Sequence, residues 1–202
     1  VKLRTALSCI AADTPLGTEI LRIARASIEH GFEHGAPLPV DGEGLVPALA
    51  EPAATFTTLR LDGELRGCCG RLEPLEPLAK DIAYSAYRAA FADPRFVAVV
   101  PQELEVINVE VSVLSALEPM TAIDEVDLLV QLVPGVDGLV ITEGARRATF
   151  LPKVWDSLSE PRMFLSALKS KCGLPADYWS DRLEFLRYTT ISYAESSEAL
   201  SR

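Results

Sequence analysis

Apolar residues recur at helical spacing after Thr14-Pro15: Leu16, Ile20, Ile23, Ala24 and Ile28 share one face with Ser27, while Glu19, Arg22 and Arg25 turn outward. Threonine followed by proline marks a helix start, because the hydroxyl caps a free amide and the ring fits the first turn. Gly31 is the expected stop. Residues 35–52, rich in Gly and Pro, carry no period and predict a loop. The pattern then becomes that of strands. Residues 54–61 are β-rich, Asp62-Gly63 is a hairpin dipeptide, and a returning strand starts at Glu64. Pro77 opens a second helix with Leu78, Ile82, Ala86, Ala89 and Ala90 inward, which Asp93-Pro94-Arg95-Phe96 ends sharply.

Residues 105–114 alternate most clearly, with Val109, Val111 and Val113 on one face and Asn108, Glu110 and Ser112 on the other. A short helix over 124–133 and a hairpin joining 139–142 to 148–151 follow. A helix from Pro161 comes next, with Phe164, Leu165, Leu168 and Cys172 inward and Gly173 as its cap, and a β-rich stretch over 185–193 closes the pattern. Hairpin-paired strands interleaved with helices predict an α+β fold, a largely antiparallel sheet flanked by helices. The length fits a single domain over residues 14–195, with tails at 1–13 and 196–202.

Composition narrows the function classes. With 49% apolar residues the chain can bury a sizeable core, and its net charge of −10 repels phosphate backbones, so no nucleic-acid partner is expected. No apolar run is long enough to span a bilayer. Val1-Lys2-Leu3-Arg4 and the residues to Ala12 imitate an export leader, but the apolar part is short and broken by Ser8 and Cys9, so export is not expected. Four cysteines without zinc-type spacing predict reduced thiols in the cytoplasm.

The candidate chemistry centres on Leu65-Arg66-Gly67-Cys68-Cys69-Gly70-Arg71, two adjacent thiols between glycines with a guanidinium outside each end. Glycine permits close approach of a ligand, and a nearby cation favours the thiolate. Adjacent strand residues face opposite ways, so one thiol is expected to pack and the other to face a cleft. Cysteine hydrolases use a histidine, and the two available, His30 and His34, sit at a helix end and read as solvated, making a Cys-His hydrolase weak. Other polar groups for such a cleft are Asp93 and Arg95, read first as an ion pair locking a turn; Glu110, solvated by default or a proton-handling acid; and Lys153, surface by default or aimed inward. No phosphate loop, dinucleotide fingerprint or zincin pair occurs, so neither cofactor nor metal is expected.

Five segments in order, Leu65-Arg66-Gly67-Cys68-Cys69-Gly70, Phe91-Ala92-Asp93-Pro94-Arg95-Phe96, Val109-Glu110-Val111-Ser112-Val113-Leu114, Phe150-Leu151-Pro152-Lys153-Val154-Trp155 and Lys171-Cys172-Gly173-Leu174-Pro175, resemble the AMMECR-one domain family. The likeness is closest to its prokaryotic branch, the AmmeMemoRadiSam system protein A. It implies a larger and a smaller lobe with a cleft between them, and association with a Memo-like protein and a radical S-adenosylmethionine protein. It gives no established reaction. That family usually has an aliphatic residue at the Cys69 position, glutamine at Lys153 and alanine at Cys172; the thiol carried over is therefore Cys68.

Two functions are then expected in competition. The first is a thiol-using enzyme or catalytic component, with Cys68 reacting, Arg66 tuning it or binding an anionic group, Glu110 or Asp93 handling protons, and Gly67, Gly70, Arg71, Arg95 and Lys153 lining the substrate site. The second is a non-enzymatic module binding a protein or small ligand through the Arg66 to Arg71 surface.

Overall fold

Thr14 caps the first helix by accepting from the Gly17 amide at 3.0 Å, and α1 (Pro15–His34) runs from there to a left-handed Gly35. The computed structural model describes residues 14–40 and 45–195; the leader-like stretch before Asp13 and Cys9 lie outside these. The elements that follow are α2 (Pro47–Ala50), β1 (Thr55–Leu61), β2 (Glu64–Gly70), α3 (Leu78–Phe91), a 3-10 turn (Pro101–Glu103), β3 (Asn108–Leu114) and β4 (Glu118–Met120). Then come α4 (Glu125–Gln131), β5 (Gly138–Glu143), β6 (Arg146–Phe150), a 3-10 helix (Pro152–Asp156), α5 (Pro161–Lys171), β7 (Glu184–Tyr188) and β8 (Thr190–Ala194). The α+β class holds. The expected sheet is in fact two four-stranded sheets, one in each of two compact units.

One unit contains residues 14–114 and 191–195, with strand order β2-β1-β3-β8. Asp62 (φ 51°) and Gly63 (φ 83°) both take the left-handed conformation that a two-residue hairpin turn requires, and β1 pairs antiparallel with β2 on one side and β3 on the other. Leu59, Val109 and Val111 form the inner face of this sheet, packed against Ile20, Ile23, Ala24, Ile82, Ala83 and Ala86 of α1 and α3. The alanines bring α3 close to the strands. Gly31 does not end α1, contrary to the sequence reading. It is buried within the helix, and a Cβ there would stand 2.4 Å from the Phe91 ring, so the glycine lets α1 approach α3.

The other unit, Ser115–Thr190, holds the sheet β4-β7-β5-β6 with α4 and α5. Its core joins Leu139 and Ile141 to Phe164, Leu165, Leu168 and Cys172, and Trp155 stacks on Phe164 at 3.8 Å. Cys172 is a core residue, as its helical spacing predicts. The β-rich stretch at 185–193 is not one strand: β7 joins this sheet and β8 the other. Among the described residues no helix is long and apolar enough to cross a membrane.

Candidate functional site

Register places the two thiols. Leu61 pairs with Glu64 and Arg60 with Leu65, but Leu59 pairs with Gly67 and Thr58 with Cys68, so Arg66 is an extra residue on β2 and the strand bulges there. A bulge leaves one residue unpaired and resets which side chains face each way. Beyond it Cys69 lies opposite Thr57 on the inner face, packed against the core, while Cys68 lies opposite Thr58 on the other face. Thr58 also pairs with Glu110 across β1 and β3. Cys68, Thr58 and Glu110 therefore form one row across three strands, on the sheet face turned away from α3.

The chemistry of that row is that of a held, protonated thiol. Thr58 Oγ1 donates to Cys68 Sγ at 3.6 Å. Burial pushes the Cys68 thiol above the ordinary cysteine range, and the Thr58 bond and the Arg95 charge offset this only in part. Glu110 is 8% exposed and Ser112, beside it on the same face, 5%; the expectation of a solvated Glu110 is overturned because this face is buried too.

β2 is an edge strand, and an edge leaves amides and carbonyls without a neighbouring strand. Asp93 and Arg95 take that place at Cys68. The Cys68 amide donates to Asp93 Oδ2 at 2.9 Å, and Arg95 Nη2 donates to the Cys68 carbonyl at 3.4 Å. Arg95 also clasps Asp93 through Nε at 3.0 Å and Nη2 at 2.7 Å. That clasp, with the amides of Cys68 and Arg95, outweighs burial and holds the Asp93 carboxyl down to about 2. The expected ion pair is present, and it removes Asp93 from proton handling: a carboxylate this firmly ionised positions the Cys68 peptide instead.

Other expected site residues are drawn elsewhere. Arg66, expelled from the ladder by the bulge, gives Nε and Nη2 to Glu103 at 2.7 and 2.9 Å and Nη1 to the Val97 carbonyl at 2.9 Å. Its donors are committed to the 97–103 segment, so it does not tune the thiol; Arg95 is the cation that does. Arg71 ion-pairs with buried Asp81 and lies 4.2 Å from the centre of the Tyr84 ring. Arg66 and Arg71 thus do not act as one recognition surface. Gly67 leaves no room for a substrate, because a Cβ there would meet the Ala89 carbonyl oxygen at 2.2 Å; at Gly70 the obstruction is the Thr55 carbonyl, also at 2.2 Å. Lys153 is exposed on a 3-10 helix of the other unit, not aimed inward. His30 stacks on His34 at 4.0 Å, and its Nδ1 lies 3.0 Å from the Ala36 carbonyl oxygen.

Thr58 and Arg88 are the residues the sequence reading missed. Arg88 stands beside the Cys69 thiol, whose side-chain hydrogen bond is the chief cause raising the guanidinium pKa. Helical spacing carries a signal for it, since Arg88 lies one turn beyond Tyr84. For Thr58 the signal is the hairpin count, which the bulge spoils.

These positions predict distinct thiol reactivities. Under native conditions iodoacetamide is expected to label Cys68 slowly at neutral pH, with a rate that keeps climbing above the ordinary cysteine range, and to spare buried Cys172. Peptide mass spectrometry across a pH series checks this. A Cys68 labelled at full rate at neutral pH would contradict the held thiol.

Residues 21–193 match the AMMECR1 family model. A protein of Methanothermobacter thermautotrophicus is 36% identical over 170 residues, covering 82% of this chain and 86% of that protein. One from Thermotoga maritima is 35% identical over 168 residues, covering 82% and 91%. The crystal structure of the uncharacterized protein PH0010 from Pyrococcus horikoshii superposes with a TM-score of 0.83 at 29% identity, covering 89% of this chain and 91% of that one.

Proposed function

The chain belongs to the AMMECR1 family, and from that premise and the Cys68 row we propose that it is a thiol-using enzyme, or the catalytic component of one. The observation that carries this is the alignment of a thiol, a hydroxyl and a buried carboxylate across β2, β1 and β3. Packing alone calls for none of the three, and burying the Glu110 side chain costs stability unless it is hydrogen-bonded. In this reading Cys68 is the reacting group. Its thiol rests protonated and is discharged only when substrate arrives, with Glu110 of the same row as the proton-handling side chain and the Thr58 hydroxyl, which donates to the sulfur, stabilising the thiolate that forms. Asp93 and Arg95 fix the peptide from which the sulfur projects, and the Arg95 charge stabilises the thiolate once formed.

We further propose that this work is done in the cytoplasm, with a Memo-like protein and a radical S-adenosylmethionine protein as partners in a modification system. The free thiols of Cys68, Cys69 and Cys172 are consistent with a reducing compartment.

A second reading, a ligand- or protein-binding module, draws support from the raised Cys68 thiol, since a group that stays protonated can serve as a packing and recognition element. Metabolite and protein-modification profiling separates the two. A Cys68→Ser strain and a Glu110→Gln strain are expected to reproduce the profile of the deletion strain. Full function with Cys68→Ser, together with intact capture of the two neighbours, would replace catalysis by binding.

A further inference from the structure

A pocket lies on the opposite side of β2 from the Cys68 thiol, and its floor is a polar network the Cys68 chemistry does not use. Asp81, fully buried in the first turn of α3, accepts at Oδ2 from both the amide and the hydroxyl of Thr55 at 2.7 Å. Thr55 and Thr57 both meet the Ser85 hydroxyl, at 3.0 and 2.8 Å. This anchors Asp81, and Asp81 in turn anchors Arg71, whose Nε lies 2.7 Å from Oδ1 without the aim of a hydrogen bond. Stacked on Tyr84, the guanidinium is held in place, half-buried, with its Nη donors meeting no protein acceptor among the described residues. The four Nη donors of a planar fork, fixed and unspent, are a ready carboxylate receptor.

The surrounding space is a cavity of about 480 Å³, within the range of small-molecule sites. Leu38, Pro39 and Val40 give it an apolar wall, and Lys80 brings a second cation that has no carboxylate partner among the described residues. Glu76 also lines it, and with Asp81 beneath, the two carboxylates balance the two cations. That balance penalises a dianion such as phosphate more than a single negative charge.

We propose that this pocket binds an organic monocarboxylate with a compact apolar body, its carboxylate clasped by Arg71 and approached by Lys80, its body against Leu38, Pro39, Val40 and the Tyr84 ring. The site is separate from the Cys68 row and independent of any reaction there, so either can fail alone.

The test is a titration of the folded protein with phenylacetate, hexanoate and inorganic phosphate, followed by calorimetry and by the NMR signals of the Tyr84 ring. At least one of the two carboxylates is expected to bind saturably and to shift those signals, with phosphate weaker than that carboxylate. Losing a charged fork of this kind is expected to weaken binding roughly tenfold or more. The variant is Arg71→Met with Asp81→Asn, which removes both charges together and so leaves no unpaired buried carboxylate. Lys80→Glu, on the exposed surface, keeps the test open should that pair unfold the protein, and is expected to weaken binding several-fold. No saturable binding of either carboxylate, unchanged affinity in both variants, or phosphate bound more tightly than both, would each overturn the proposal.

Discussion

Gly67→Ala is expected to lower stability by about 3 kcal/mol, a fall in Tm of roughly 6–12 °C for a chain of this size. The added Cβ would stand 2.2 Å from the Ala89 carbonyl oxygen; that oxygen is backbone and the Cβ is fixed by its own backbone, so no side chain can swing aside. β2 and α3 must part by about 1 Å to restore normal contact. That displacement reaches the Cys68 site through a short path. Asp93 follows α3 by two residues, and its carboxylate holds the Cys68 amide at 2.9 Å. Thermal unfolding with Cys69→Ala as the comparison checks the prediction, since shortening the neighbouring partly buried thiol is expected to cost less than half as much. An unchanged Tm in Gly67→Ala would mean that α3 and β2 are not packed as closely as the structure has them.

The role of Gly67 shows where sequence reading stops. The tetrapeptide around the thiols invites a ligand, because glycine beside a reactive group commonly marks close approach. Here the close approach is by the protein's own helix. Nothing in the local residues separates the two cases; the alanine-rich stripe of α3 explains it only once α3 is known to cross β2.

Other parts were legible for definite reasons. Thr14-Pro15, the Asp62-Gly63 turn and the alternation through Val109, Val111 and Val113 each fix local backbone, and each is present. The Cys172 spacing gives a core residue because helical period and burial coincide there. The choice between Cys68 and Cys69 was different. A two-residue turn counted outward without interruption pairs Cys68 with Thr57 and so turns it toward α3. A one-residue slip reverses every face of a strand. The slip comes from the extra Arg66, which spends its guanidinium on Glu103 and two carbonyls and so makes the bulge worthwhile. That compensation lies 37 residues away in sequence and carries no local signature. Glu110 was misjudged for a related reason: alternation tells which residues share a face, not whether the second face meets solvent.

Asp93→Asn is expected to destabilise the protein by on the order of 2 kcal/mol at neutral pH, with a loss that fades as the medium is acidified. The sign follows from the direction of the shift. The folded carboxyl titrates at about 2, below the ordinary aspartate value near 4 of an unfolded chain. Its stabilising contribution is therefore complete above about pH 4 to 5 and disappears as pH falls through that interval toward 2. Denaturant unfolding at neutral pH and at steps down to pH 3 is expected to show wild type losing its advantage over the variant in that window. The same substitution acts on the thiol. Asparagine can still accept the Cys68 amide, but it cannot neutralise Arg95, whose Nη2 lies 2.7 Å from Oδ2. The released guanidinium charge bears more fully on Cys68 and draws its raised thiol back down, so alkylation at fixed neutral pH is expected to quicken severalfold. The two readouts answer different questions. A stability gap that does not change with pH would show that Asp93 is not the ionised anchor of the turn. Faster alkylation together with lost function in the cell would show that the Asp93–Arg95 clasp, by keeping Cys68 protonated and in register with Thr58, is what the site requires of it.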